Sequence, residues 1–221
     1  MGINCNTVPV TDVIDNSTKY TINTTRSFSN DPIVVKILAQ TVIDATLNQS
    51  IIPISKHLIC YGRSKDDLHH TIASINTSEE DLAKTDFIPI KGIKSKLCMV
   101  THNIINFIDP NKISTLSKKV CTYIRMNLVP NSILVVDDIH MKGIGVDVMK
   151  YPSIVKDIFS CGYNIIISSH EIQIGIMENT NYIDDYSYIY ISGLINSFKN
   201  NTLSKNEIIS LKDELKNYLT N

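Results

Sequence analysis

Short apolar runs alternate along the chain with stretches in which apolar residues recur at helical spacing. Buried strands are predicted for the runs HLICY (57–61), KLCMVT (96–101), ILVV (133–136), NIII (164–167) and YIYI (188–191), with an extra strand at DFIPI (86–90). Helices are predicted after Asp31-Pro32, after Asp66-Asp67, over 112–126, after Pro152 and after Ser204. This alternation predicts an α/β fold with a mainly parallel sheet covered by helices on both faces.

Two of the helix starts carry capping signals. Asp31 precedes Pro32, as expected for an N-cap followed by proline in the first turn. Ser204 and Glu207 form a capping box ahead of a stripe of apolar residues (Ile208, Leu211, Leu215 and Leu219). The two signals therefore predict one helix early in the α/β part of the chain and another near its end.

Composition limits the classes of protein and of partner. The 221 residues suffice for one domain with a proper core, and 43% apolar with 19% charged residues is an ordinary globular balance. A net charge of -1 provides no basic field for nonspecific binding of nucleic acid. The five cysteines are widely spaced without a C-x-x-C pair, and no apolar stretch reaches the length of a membrane span. We therefore expect a cytoplasmic protein without membrane contact.

Polar residues follow four of the predicted strands, and the carboxyl ends of parallel strands are where chemistry collects in such sheets. The four segments are YGRSKDDLHHTI (61–72), VTH (100–102), VVDDIH (135–140) and IIISSH (165–170). Histidines recur there (His69, His70, His102, His140 and His170), but none has the local spacing of zinc ligands. We interpret them as polar residues that line a cleft.

In their order and spacing, these four segments resemble the DnaA family of AAA+ ATPases and its shorter, Hda-type relatives. LICYGRSKDDLHHTI resembles the family's strand, glycine loop and helix, and Asp137-Asp138-Ile139-His140 resembles its Walker B phrase. The resemblance covers most of residues 20–192. It implies a three-layer, P-loop NTPase-like sandwich with a reduced C-terminal helical lid. The implied divisions are an irregular lead-in (1–30), an AAA+-like core (31–195) and a remnant lid helix (196–221).

The resemblance also implies roles for individual residues. Asp137 and Asp138 would be the Walker B acids, with Asp137 as the Mg²⁺ ligand, and the sensor would be Ser169 or His170. The segment Gly62-Arg63-Ser64-Lys65 would be the nucleotide-binding loop.

The same loop departs from a working phosphate loop. The pattern G-x-x-x-x-G-K-[ST] lacks its second glycine here, and Asp66 and Asp67 follow Lys65 where phosphate would need N–H groups. No arginine occurs after Arg125, so the arginine finger and the second sensor are missing from the region where the family carries them. We therefore expect a vestigial site with little or no ATP hydrolysis, and either no cofactor or weakly bound ADP or ATP with Mg²⁺.

The resemblance thus implies a regulatory or accessory protein of DNA replication initiation. Its partner would be a DnaA-type initiator or another replication protein. No helix-turn-helix module follows the core, so direct sequence-specific DNA binding is not expected.

A phosphoribosyltransferase-like enzyme is the alternative. The run ILVVDDIHMKGIG (133–145) is similar to the diphosphate-sugar motif of those enzymes, in which two acids hold ribose hydroxyls and a loop holds the 5′-phosphate. The hydroxyl side chains expected in that loop are missing from Lys142-Gly143-Ile144-Gly145.

Overall fold

Five parallel strands form the main sheet of the computed structural model, which describes residues 5–15, 26–146 and 153–167. In chain order they are β1 (Cys5–Asn6), β2 (Ile52–Leu58), β4 (Leu97–Val100), β6 (Ile133–Val136) and β7 (Ile165–Ile166). They lie side by side in that same order, and each neighbouring pair is parallel. Two further short strands, β3 (Ser74–Ile75) and β5 (Ile104–Ile105), form a separate parallel pair, and Ile104 is also bridged to Ile113.

Helices connect the strands of the main sheet. They are α1 (Pro32–Asn48), α2 (Glu79–Lys84), α3 (Phe87–Ile90), α4 (Lys118–Asn127) and α5 (Ile154–Ser160). Single 3₁₀ turns occur at Tyr61–Arg63, Ser114–Leu116 and Lys142–Ile144. Local sequence explains several starts: the Asp31 carboxylate accepts from the Ile33 backbone N–H at 2.8 Å, and the Ser117 hydroxyl caps α4.

The two faces of the sheet are covered differently. On one face, buried side chains of β2, β4 and β6 pack on one another and on Ile52, Ile165 and Ile167 (Ile54, Leu97, Met99, Ile133 and Val135). The alternate strand residues Leu134 and Val136 face the other way, into a larger cluster that includes α4 and α5. Among the described residues, then, helices cover one face, and strand side chains fill the other.

This arrangement corrects the predicted architecture. The chain is α/β with a mainly parallel sheet, as predicted, but the sheet is curled and a P-loop NTPase-like sandwich is wrong. A doubly wound sheet reverses its strand order at a switch point. Here the order runs from β1 to β7 without reversal in the described residues, so every crossover of the same hand lays its helix on the same face.

Several predicted elements are confirmed. The helix that begins at Pro32, the strands near 96–101 and 133–136, and the helix after Pro152 all occur. The run 57–61 contributes only its first two residues to β2, which begins five residues earlier. The predicted strand 188–191 and the helix after Ser204 lie outside the described residues.

Two predicted elements are wrong. The segment 86–90 contains the short helix α3, which turns Phe87, Pro89 and Ile90 inward and contacts α1. No helix begins at Asp66-Asp67, because the Asp67 carboxylate accepts from the backbone N–H of His69 and so offers that N–H a partner outside a helix.

The domain division stays a prediction. Cys5–Asn6 in the predicted lead-in pairs with β2, and Asp12 is buried against the same strand. The division at 195 and the remnant lid at 196–221 lie outside the described residues. No helix in the described part of the chain is long and apolar enough to cross a membrane.

Candidate active site

Polar side chains gather where β2, β4 and β6 end. Lys56 and His57 lie near the carboxyl end of β2, His102 follows β4, and Asp137 follows β6 directly. Because the three strands are adjacent and parallel, these ends meet at one edge of the sheet. In curled α/β sheets this is the edge at which catalytic groups collect.

A buried histidine–carboxylate pair lies at the end of β2. The segment before Asp12 runs along β2, with Val10 bridged to Lys56, and this brings the Asp12 carboxylate to His57. His57 Nδ1 lies 2.7 Å from Asp12 Oδ2, and the two side chains are only 4% and 2% exposed. The second carboxylate oxygen accepts from the backbone N–H of His57 at 3.4 Å. The pair therefore joins a distant segment to β2 by two contacts.

The loop after β2 depends on a close backbone approach. A Cβ on Gly62 would lie 2.2 Å from the carbonyl oxygen of Val13, so only glycine fits there. Arg63 then donates to Asp86 at 2.6 Å and forms an ion pair with Asp15 at 3.3 Å. Burial acts to lower the pKa of Arg63, but the charge and hydrogen bond of Asp86 outweigh it, and the pKa is raised. These contacts attach the loop to the rest of the fold.

A second histidine–carboxylate pair lies further along this loop. Asp67 Oδ1 accepts from His69 at two points: the backbone N–H at 2.9 Å and the ring nitrogen Nδ1 at 2.7 Å. The side chain of His69 is 54% exposed, while that of Asp67 is 10% exposed. A carboxylate bound at Nδ1 fixes the ring orientation and leaves Nε2 to exchange protons with other molecules.

Leu68, between these two residues, anchors the pair. Its side chain is fully buried in a cluster with Tyr61, Ala73 and Met141. Its carbonyl accepts from the backbone N–H of Gly143 at 2.7 Å, and a Cβ on Gly143 would lie 2.8 Å from that same oxygen. The histidine loop is therefore held against the turn that follows β6.

His102 ties the ends of β4 and β6 together. It is completely buried, with Nε2 3.0 Å from the carbonyl of Asp138 and Nδ1 2.8 Å from the Thr115 hydroxyl. A carbonyl can only accept, so Nε2 carries the proton and Nδ1 accepts from Thr115. Burial lowers the pKa of His102 and is only partly opposed by the charges of Asp137 and Asp138, while nearby His69 lowers it further. His102 is therefore a neutral cross-link.

The pKa values of His102 and Lys56 respond to charged groups near the ends of these strands. Asp137, Asp138 and His69 all act on His102, while Asp137 and Asp12 both act on Lys56. Burial lowers the pKa of Lys56, the cation Arg26 lowers it further, and the two carboxylates oppose the change. Lys56 and the strand-terminal carboxylate Asp137 therefore lie at one edge, and the loop that carries the exposed imidazole of His69 is held against the turn that follows Asp137.

The predicted nucleotide-binding loop has other contacts. Gly62 is packed on Val13, Arg63 is paired with acids, the buried Ser64 hydroxyl donates to the Asp66 carbonyl at 2.6 Å, and Lys65 is exposed. Asp137 and Asp138 do end a central strand, and the carboxylate of Asp137 accepts from the N–H of Asp138 at 2.9 Å. Ser169 and His170 lie outside the described residues.

Four residues of this edge have no functional role in the prediction from sequence. Lys56 and His57 were divided by the wrong strand boundary, and Asp12 belonged to a segment interpreted as a lead-in. Asp67 was interpreted as an acid that excludes phosphate, although its spacing of two from His69 is a local signal for a side chain that binds its own turn.

Comparison with known proteins identifies the family. The family model described as the glycosyl hydrolase family 3 N terminal domain matches residues 1–207. Beta-hexosaminidase A of Pseudoalteromonas piscicida is 25% identical in an alignment 183 residues long, which covers 76% of this chain and 30% of that protein.

Solved structures share the fold. CbsA from Thermotoga neapolitana superposes with a TM-score of 0.77 at 23% identity, covering 100% of this chain and 46% of that one. A glycoside hydrolase family 3 beta-N-acetylglucosaminidase from Paenibacillus gives a TM-score of 0.78 at 19% identity, covering 97% and 39%. The chain thus spans about a third of the curated relative and less than half of these two structures.

These matches overturn the resemblance to DnaA-type ATPases. The family assignment, the role in replication initiation and the phosphoribosyltransferase alternative are all wrong. The resemblance misled because an acidic strand end beside a glycine turn is common to many α/β sites. Weak binding of ADP or ATP with Mg²⁺ and contact with a DnaA-type partner were inferred from that resemblance and stay predictions. With 207 of its 221 residues matched, the chain belongs to glycosyl hydrolase family 3, within the N-terminal domain of that family.

Proposed function

We propose that the protein hydrolyses β-linked N-acetylhexosamine, with the sugar bound at the edge formed by the ends of β2, β4 and β6. The substrate class follows that of two similar proteins, a beta-hexosaminidase and a beta-N-acetylglucosaminidase. The observation that carries the proposal is the exposed Asp67–His69 pair, on a loop that Leu68 holds against the turn after Asp137.

The finer fold is part of the same proposal. An unreversed order of parallel strands, with helices on one face and strand side chains on the other, is characteristic of an α/β barrel. We propose that the five described strands are part of such a barrel, in which the ends of β2, β4 and β6 line the mouth.

Two groups of complementary chemistry are required at a retaining glycosidase site. Asp137 is the nucleophile in this proposal: its carboxylate attacks the anomeric carbon while the bond from that carbon to the leaving oxygen breaks. His69 is the acid and gives its Nε2 proton to the leaving oxygen, so the aglycone departs as a neutral alcohol.

The second step reverses these roles. Water gives a proton to Nε2 of His69 and attacks the anomeric carbon, which releases Asp137 as a carboxylate and the sugar as a hemiacetal. Asp67 accepts from Nδ1 throughout, so the imidazole keeps one orientation, and its cation is stabilised before the first step and after the second. Lys56 and Arg26 supply cationic donors for sugar hydroxyls.

Hydrolysis of 4-nitrophenyl N-acetyl-β-D-glucosaminide by the purified chain tests the proposal. We expect Asp137→Asn to lower kcat by about 10³-fold or more, because no covalent intermediate forms. Asp44→Asn, on α1, is the matched control and should leave kcat unchanged. Equal activity of the Asp137→Asn variant and the wild-type chain would refute the nucleophile.

The role of His69 has a separate signature. Replacement by glutamine should slow hydrolysis by about 10²–10⁴-fold for substrates whose leaving alcohol is weakly acidic. Aryl glycosides with acidic phenols need little protonation, so their bond cleavage should be affected much less. A uniform loss across leaving groups would argue against His69 as the acid.

A further inference from the structure

Tyr61 contacts both histidine–carboxylate pairs of the site. It follows β2 in the 3₁₀ turn Tyr61–Arg63 and is only 1% exposed. Its ring meets that of His57 edge-on, with centroids 4.7 Å apart and planes inclined by 76°. Its hydroxyl donates to Asp67 Oδ1 at 3.4 Å. Tyr61 therefore lies between the buried pair and the exposed pair.

The oxygen that Tyr61 reaches is the one that orients His69. Asp67 Oδ1 accepts from the ring of His69 at 2.7 Å and from its backbone N–H at 2.9 Å, and the phenol is another donor to that oxygen. Burial, and then the charge of Asp67, raise the pKa of Tyr61, so the phenol keeps its proton and acts as a donor. The negative charge on Asp67 Oδ1 is therefore shared by two donors, the phenol of Tyr61 and the imidazole of His69.

We propose that Tyr61 is a positioning residue for the acid/base of the reaction: through Asp67 it sets both the orientation of His69 and the strength with which Asp67 holds the imidazolium. This inference rests on the proposed function. Tyr61 touches no reacting atom in it. It packs with Leu68, which fixes the loop from the apolar side, while its hydroxyl fixes the carboxylate from the polar side.

Removal of the hydroxyl by Tyr61→Phe tests this role. For a substrate whose leaving alcohol is weakly acidic, we expect kcat to fall about 3–10-fold with KM within about twofold of wild type, because one hydrogen bond to a charged group is lost and the sugar-binding groups are unchanged. The alkaline limb of the kcat/KM profile should move to higher pH, because Asp67 then holds the protonated imidazole more strongly.

The charged groups that act on Tyr61 are accounted for in this pH argument. Besides Asp67 they are Arg26 and Asp12, and the His57 ring lies against the phenol. None of them is altered by the loss of the hydroxyl. Tyr123→Phe is the matched control: that hydroxyl donates to Glu79 at 2.6 Å, also a carboxylate, and takes no part in the proposed site.

A second measurement does not depend on turnover. Long-range ¹H–¹⁵N NMR of the His69 ring, assigned with His69→Gln, reports which nitrogen carries the proton. At a pH where the ring is neutral, we expect its one proton on Nδ1 in the wild-type and Tyr123→Phe chains, and altered ring shifts in Tyr61→Phe. Unchanged shifts together with an unchanged pH profile would overturn the inference. A wild-type chain without hydrolase activity would refute the proposed function, and the NMR comparison would still decide whether Tyr61 orients His69.

Discussion

The two histidine–carboxylate pairs of this protein share one geometry and differ in exposure. In each, a ring Nδ1 lies 2.7 Å from a carboxylate oxygen. The Asp12–His57 pair is almost wholly buried, whereas 54% of the His69 side chain is exposed. A buried pair contributes to the stability of the fold, because removal of one partner leaves the other buried and unpaired, where solvent does not reach it. A pair whose imidazole is exposed contributes less to stability, and its ring remains available for proton transfer.

Breaking the buried pair should have the largest effect on stability. We expect Asp12→Ala to lower the free energy of unfolding by about 3–5 kcal/mol, since His57 loses its partner inside the fold. Asp67→Ala should cost less, about 1–3 kcal/mol, because solvent reaches His69 and only the buried Tyr61 hydroxyl is left without its acceptor. Urea denaturation of the two variants measures the difference. Equal losses would show that exposure does not separate the two pairs.

His102 should produce a smaller, pH-dependent effect. Its pKa in the folded chain is lowered by burial, so the unfolded chain binds the additional proton first as the pH falls. The stability that the neutral ring contributes is complete above the unfolded value of about 6.5 and is lost as the pH falls below it. The slope from this one proton is at most about 1.4 kcal/mol per pH unit.

Replacement of His102 by glutamine isolates that slope. Glutamine can still donate to the Asp138 carbonyl and contact Thr115, but it does not titrate. The free energies of unfolding of the two chains, measured from pH 8 to pH 5, should differ by an amount that varies with pH in the direction stated above. Parallel curves would show that His102 does not supply the pH dependence.

His70 should give the smallest effect. Its Nε2 lies 3.9 Å from Asp67 Oδ2, and its side chain is 75% exposed. We expect His70→Ala to change stability by less than about 0.5 kcal/mol and kcat by less than about twofold, because solvent screens so exposed a pair. Thermal unfolding and hydrolysis of a glycoside with a weakly acidic leaving alcohol check the two numbers. A loss of activity similar to that of His69→Gln would contradict the assignment of the acid/base to His69 alone.

The candidate site was only partly predictable from the sequence. The edge itself was predicted, because apolar runs that end in VTH and VVDDIH must deliver His102 and Asp137 to adjacent strand ends if those strands pair. The role was predicted wrongly, because a phosphate loop and the loop beside this site both begin with a buried strand, a glycine and basic residues. Gly62 illustrates the ambiguity: glycine is required there because the backbone contacts Val13, some fifty residues earlier in the chain.

By itself, the sequence determined the local elements whose signals lie within a few residues. The Asp31 cap and Pro32 start α1, the apolar runs form β4 and β6, and Asp67 binds the turn that carries His69. Only the tertiary structure decided which distant groups meet: Asp12 and His57 are 45 residues apart, and His102 and Asp138 are 36 apart. Curling of the sheet was also decided at that level, because strand order depends on the hand and packing of whole crossovers, which no local pattern specifies.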